Sequence, residues 1–223
     1  MKKITIIFLV STLFWGCKEN NKVEPPKAAT VEAAPHPVQK VDPIVGELLH
    51  FADIDTAKIA AVGKILGFKA VDRSGQSTSL DLESGVALFK SFPNTKKDQK
   101  LPVMEISGTD RFIIMVKGKG FGGPIWAKLL VDQKTDEILK IRFGHRAETE
   151  GYGAQIERAS FQEQFEGKKL VVSGNTFGLQ KQGSVIMEGR YPIDGISGAT
   201  VTNKGVVDML NTGLQGYALY FEQ

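Results

Sequence analysis

Between residues 111 and 143 apolar runs alternate with short polar breaks. RFIIMVK (111–117), IWAKLLV (125–131) and ILKIRF (138–143) are rich in β-branched and aromatic residues. They predict three strands, with DQKTDE as the turn between the last two. Other segments carry the helical period. Ile54, Ala57, Ala61 and Ile65 share one helical face and predict a helix over IDTAKIAAVGKILGF (54–68). In SFQEQFEGKK (160–169), Phe161 and Phe165 stand four apart, as in a short helix stopped by Gly167. Near the C-terminus Val207, Leu210, Leu214, Tyr217 and Phe221 recur at intervals of three and four. That predicts an amphipathic helix starting just after Thr200–Asn203. Strands and helices are mixed without βαβ alternation, so the expected class is α+β, with a mixed or antiparallel sheet.

The first 43 residues follow another pattern. Lys2 and Lys3 precede an apolar run from Ile4 to Trp15, and Gly16 and Cys17 come next. A basic start, a short apolar core and a small residue describe a secretory signal over residues 1–17. The run falls short of the roughly 20 apolar residues of a membrane span. Gly16-Cys17 resembles the lipobox of bacterial lipoproteins, which implies lipidation of Cys17. Phe14 and Trp15 are bulkier than that pattern, and an uncleaved anchor with an incidental cysteine is the other reading. Residues 18–43 are polar, carry five prolines and read as a tether. Residues 44–223 then form one domain, large enough for a real core.

Charge and composition narrow the chemistry. The net charge is +3, with Lys2 and Lys3 supplying two of the positive charges, and no basic aromatic face marks a nucleic-acid binder. Cys17 is the sole cysteine, so the domain has no internal disulfide, cysteine-ligated zinc or cysteine-held iron–sulfur cluster. His36, His50 and His145 share no metal spacing. Redox chemistry in this domain would need an organic cofactor. GKGFGG (118–123) fits the dinucleotide fingerprint, but Pro124 and a second strand follow where the fingerprint requires a helix. These glycines are expected to make a hairpin or a bulge.

DGISGAT (194–200) is the most informative stretch. Ser and Thr are good helix N-caps, and a helix follows at once. Alternatively, Thr200 stands at a helix mouth, where free N–H groups and the dipole favour an anion such as a phosphate on its hydroxyl. Gly198 and Ala199 leave that hydroxyl open to a modifying enzyme.

Asp194, Ser197, Gly198, Ala199 and Thr200 match every fixed position of the flavinylation motif D-x-x-[ST]-G-A-[ST]. The chain thereby resembles the FMN-binding domain family found in the C subunit of the sodium-translocating NADH:quinone reductase and in the G subunit of the Rnf complex. The stretch from Gly122 to Leu170 resembles the middle of that reductase protein, including its E-T-P-G-L-G loop. Glu148, Thr149, Gly151 and Gly153 match that loop, Glu150 stands in place of proline, and Tyr152 in place of leucine. The resemblance implies FMN held by a phosphoester on Thr200 and installed by a flavin transferase, with Asp194 and Ser197 shaping the loop for it. Glu148, Thr149, Gly151, Tyr152 and Gly153 are then expected to surround the flavin, with Glu150 bordering the ring. The implied protein is a membrane-anchored electron carrier in the bacterial envelope, its domain outside the cytoplasm. It would work with other electron-transfer subunits rather than as an enzyme with its own substrate. The alternatives are a stand-alone FMN-binding envelope lipoprotein and a non-redox binding lipoprotein in which the motif is only a helix cap.

Overall fold

The computed structural model describes residues 42–55, 62–95, 100–170 and 174–222. The apolar run at 4–15, Cys17, most of the tether, and Ala57 and Ala61 of the expected helix lie outside them.

Two helices beyond those expected from the sequence open the fold, each behind an aspartate cap. In α1 (Pro43–Phe51) the Asp42 carboxylate accepts from the Ile44 N–H at 3.0 Å, and Pro43 occupies the first turn. In α3 (Leu82–Ser91) the Asp81 carboxylate accepts from the Ser84 N–H at 2.7 Å. Between them lie α2 (Val62–Ile65), β1 (Leu66–Val71) and β2 (Ser77–Leu80). The helix expected over 54–68 is thus corrected at its end: Leu66, Gly67 and Phe68 are strand. Their pairing with β3 (Leu101–Ile106), in the register Leu66↔Ile106 and Phe68↔Met104, overrides the local helical spacing.

The three predicted strands form, and each extends by two or three residues: β4 (Arg111–Lys119), β5 (Pro124–Asp132) and β6 (Glu137–His145). They complete a six-stranded sheet in the order β2-β1-β3-β4-β5-β6, with antiparallel pairing throughout. The run Phe112–Val116 is apolar at every position because both faces of β4 are covered. Phe112, Ile114 and Val116 enter one core, Ile113 and Met115 the other. The second core is closed by α1 and α3 through Val45, Leu48, Leu49, Val86 and Phe89.

The first core is closed by the long C-terminal helix α5 (Thr200–Phe221) and a small second sheet. That sheet consists of β7 (Phe177–Lys181), β8 (Ser184–Met187) and β9 (Tyr191–Asp194), in the order β8-β7-β9 with β7 and β9 parallel. The helix expected over 160–169 is one turn, α4 (Ala159–Gln162), followed by turns up to Gly167 at φ +71°. The Gly167 N–H donates to the Ile138 carbonyl at 2.8 Å, and this strand-like pairing draws the chain out of the helix. Phe161 and Phe165 are both buried, with ring centroids 5.4 Å apart.

Helix α5 lies close along β4. A Cβ at Gly213 would stand 2.5 Å from Val116, and one at Gly205 would overlap the Lys119 carbonyl. This close approach brings the start of α5 to the β4–β5 turn. No helix among the described residues is long and apolar enough to cross a membrane.

Candidate functional site

Three segments converge at the N-terminus of α5: the β4–β5 turn, the loop after β6 and the loop after β9. The turn at 120–123 is the glycine run that mimics a dinucleotide fingerprint. It is a hairpin connection, with the Gly120 N–H donating to the Gly123 carbonyl at 2.8 Å and Lys119 opposite Pro124.

The loop after β6 folds back on itself. The Tyr152 and Ala154 N–H groups both donate to the Thr149 carbonyl at 3.1 Å. Gly151 takes φ +77°, and a 3-10 turn over Gly153–Glu157 follows. The Gln155 amide caps the Gly151 carbonyl.

The loop after β9 leaves the second sheet at Asp194, whose N–H donates to the Gln164 side chain at 2.8 Å. Its carboxylate accepts from Gln180 at 3.0 Å. Asn203, buried in the first turn of α5, then clamps the loop. Its side chain accepts from the Ile196 N–H at 3.1 Å and donates to the Ile196 carbonyl at 2.8 Å. Gly198 takes φ +76°, and a Cβ there would stand 2.7 Å from the Tyr152 ring, so the loops touch at this glycine.

Helix α5 starts at Thr200 itself. Its N-cap is Ala199, and no side chain caps it. The cap reading of Ser197 and Thr200 is thereby corrected: in α5 Thr200 is inside the helix, past the cap position. Its side chain is exposed, and no acidic residue occupies the first turn. The dipole and the unpaired first-turn N–H groups leave this end electropositive.

Together the segments enclose a cleft of about 360 Å³, within the usual size range of ligand sites. Glu148, Thr149, Tyr152, Gly153, Gly198, Ala199 and Thr200 line it, joined by Phe121, Val201 and Thr202. Gly151, Ser197 and Asp194 stand outside the lining. Glu150, expected beside a flavin ring, is exposed and also lies outside it, because the turn at Thr149–Tyr152 faces it to solvent. Phe121, Tyr152 and Val201 are more than half exposed, forming an apolar rim around a polar floor.

That floor is Glu148, 8% exposed. One of its carboxylate oxygens accepts from the Gly122 N–H at 2.8 Å and the other from the Thr202 hydroxyl at 2.6 Å. The Glu148 N–H donates to His145 Nδ1 at 3.2 Å. Thr202 is 1% exposed, so of the two threonine hydroxyls at the start of α5 one is buried and engaged and the other open. Among the described residues no group of three or more His, Cys, Asp or Glu side chains could hold a metal ion.

Phe121, Val201, Thr202 and the clamp of Asn203 escape sequence reasoning. Phe121 hides in a run that reads as turn, and nothing in the helical pattern separates a cleft-facing threonine from a solvated one.

The fold and the cleft define a small α+β domain with an open, apolar-rimmed cleft at the mouth of its last helix. Residues 120–215, which include every segment of the cleft, match the model of the FMN-binding domain. It is 36% identical over 121 residues to the C subunit of the Na(+)-translocating NADH-quinone reductase of Chlamydia caviae, a match over 47% of this chain and 38% of that one. It is 30% identical over 138 residues to the corresponding protein of Pasteurella multocida, over 62% and 53%. The chain thus spans about half the length, or less, of these curated relatives. The crystal structure of the same reductase protein from Parabacteroides distasonis superposes with a TM-score of 0.57 at 29% identity, over 73% of this chain and 81% of that one. Shewanella oneidensis NqrC shares the fold, with a TM-score of 0.59 at 20% identity, over 80% and 96%.

Proposed function

We propose that this protein is a flavin electron carrier whose FMN is bound through a phosphoester to Thr200. The observation that carries the proposal is the contrast between the two threonines. The Thr200 hydroxyl is exposed at the cleft and the helix mouth, whereas Thr202 is buried and bonded to Glu148. A transferase can reach the first and not the second.

The cleft suits such a group. A phosphate on Thr200 lies where first-turn N–H groups and the helix dipole favour an anion. The rings of Phe121 and Tyr152 flank the opening and offer a flat apolar surface to an isoalloxazine ring. Bound there, the flavin supplies one-electron transfer, and the protein orients it and tunes its electronics. Asp194 and Ser197, outside the lining, are the residues we assign to recognition by the flavin transferase.

The C subunit of the NADH-quinone reductase is the relative on which the wider reading rests. By that likeness this chain hands electrons between partner subunits at a membrane. Gly16-Cys17 and the tether support an exported domain held by a lipid on Cys17. A labelled palmitate signal that survives Cys17→Ala would overturn the anchor.

Flavin attachment is tested by co-expression with a flavin transferase and export. The protein should run as a fluorescent band on a denaturing gel, and Thr200→Val should abolish the band while leaving the fold intact. A variant band as bright as wild type would move the acceptor elsewhere.

A further inference from the structure

We infer that Glu148 is the positioning residue of the cleft: its carboxylate pins the β4–β5 turn to the first turn of α5, and its charge lowers the reduction potential of a flavin held there. The first half rests on geometry alone. The second rests also on the flavin reading above.

The carboxylate bridges two segments far apart in sequence, Gly122 through a backbone N–H and Thr202 through a hydroxyl. The Thr202 contact is buried and the Gly122 contact partly so, and a hydrogen bond to a charged group is stronger there than between neutral partners. The space around it is shaped by missing side chains. A Cβ at Gly120 or at Gly153 would overlap one of its oxygens, and at Gly153 it would also stand 2.9 Å from Thr202 Oγ1. A Cβ at Gly122 would overlap the Ala147 carbonyl, so the turn lies against the chain just before Glu148. Two glycines from two segments, Gly120 and Gly153, thus make room for one carboxylate, an arrangement that a merely solvated glutamate does not need. Phe121, on the cleft rim, is carried by the turn that Glu148 holds, and Thr200 by the helix turn that Thr202 anchors.

The charge has a second consequence. Glu148 lines the cleft and is nearly sealed from solvent. Adding an electron to a flavin in that cleft places negative charge near a fixed negative charge, which costs more where water screens poorly. Glu150, two residues on, is exposed and outside the cleft, and its field is screened. The pair forms an internal control within one loop.

The pinning is tested on the flavin-free protein by a double-mutant cycle of Glu148→Ala and Thr202→Val, followed by urea unfolding. The double variant should lose clearly less stability than the two single losses added together, because both break one link. Strict additivity would overturn the pinning. The charge is tested by redox titration of flavin-loaded Glu148→Gln, which keeps the shape, an acceptor for Gly122 and a hydrogen bond to Thr202. The midpoint should rise by the equivalent of a threefold to tenfold change in the reduction equilibrium, about 30 to 59 mV for one electron. The rise should persist at high salt, whereas any rise in Glu150→Gln should be smaller and vanish there. An unchanged midpoint in Glu148→Gln, or an equal shift in both variants, would overturn the charge effect. A wild type that takes up no flavin would overturn the flavin reading and the charge effect with it, while the cycle would still decide the pinning.

Discussion

The two faces of the six-stranded sheet are held by different means. Under α1 and α3 the contact is apolar, with Leu48, Leu49, Phe89 and Phe92 almost fully buried. The polar links on that side include surface ion pairs, Lys90–Asp42 at 2.8 Å and Lys140–Asp53 at 2.7 Å, and the partly buried Lys117, whose ammonium donates to the Phe92 and Thr95 carbonyls at 3.0 and 2.8 Å. Under α5 there is an apolar core as well, centred on Phe165, whose ring lies 5.1 to 5.4 Å from those of Phe177, Phe143 and Phe161. What shapes that side, however, is a set of buried polar side chains bonded to backbone. Asn203 grips both backbone groups of Ile196. Asn211 does the same for Phe177, at 2.9 Å each. Glu148 holds Gly122. Apolar packing is non-directional and tolerates substitution of similar volume, whereas a buried hydrogen bond fixes one geometry and is costly to leave half-made. One face therefore mainly supplies stability, and the other sets the shape of the cleft.

The sharpest way to break this comparison is to injure the apolar face and watch the cleft. Leu49→Ala should cost about 2–5 kcal/mol in urea unfolding, the range for deleting a buried leucine. At temperatures where the variant remains folded, flavin attachment to Thr200 should stay at the wild-type level. Attachment that declines at those temperatures would mean the two faces are not separable.

The converse experiment uses the two asparagines. Asn203→Leu and Asn211→Leu each strand the N–H and carbonyl of one residue, at about 1–3 kcal/mol for each unpaired group. Their stability losses should be similar. Their effects on attachment should differ, because Asn203 holds the loop of the motif and Asn211 holds β7. Gel fluorescence should fall strongly in Asn203→Leu and little in Asn211→Leu. Equal losses would mean that attachment reports general stability and not the shape of the loop.

The smallest expected effect belongs to the ion pairs. The Lys140 ammonium bonds to the Asp53 carboxylate and holds its pKa below the ordinary value, with burial opposing. A carboxyl lowered in the folded state contributes stability above its unfolded pKa and loses it as pH falls through the folded value. Because the Asp53 side chain is 68% exposed, Lys140→Met should cost under about 1 kcal/mol near neutrality. The difference from wild type should shrink below about pH 4 and in high salt. A difference that persists unchanged into acid would assign the effect of Lys140 to packing of its methylenes rather than to charge.

The sequence by itself determined the strands β4, β5 and β6, the long last helix, the α+β class and the motif that ends on Thr200. These rest on interactions between near neighbours: alternation or clustering of apolar residues, helical spacing, and fixed small residues in a short loop. It did not disclose α1 and α3, short helices of nine and ten residues, although Asp42 and Asp81 are ordinary caps. It placed Leu66–Phe68 in a helix, because pairing with β3 arises from residues some forty positions away. It offered Ser197 and Thr200 as caps, whereas the start of α5 is set by Asn203 gripping Ile196 and by Gly205 letting the helix lie against Lys119. Only the tertiary structure decided that Thr200 is open and Thr202 closed, that Glu150 faces solvent, and that Glu148 forms the floor. The physical reason is the same in each case: burial and hydrogen-bond partnership are properties of segments brought together, and no local pattern of side chains encodes which of two neighbouring hydroxyls or carboxylates will meet a partner.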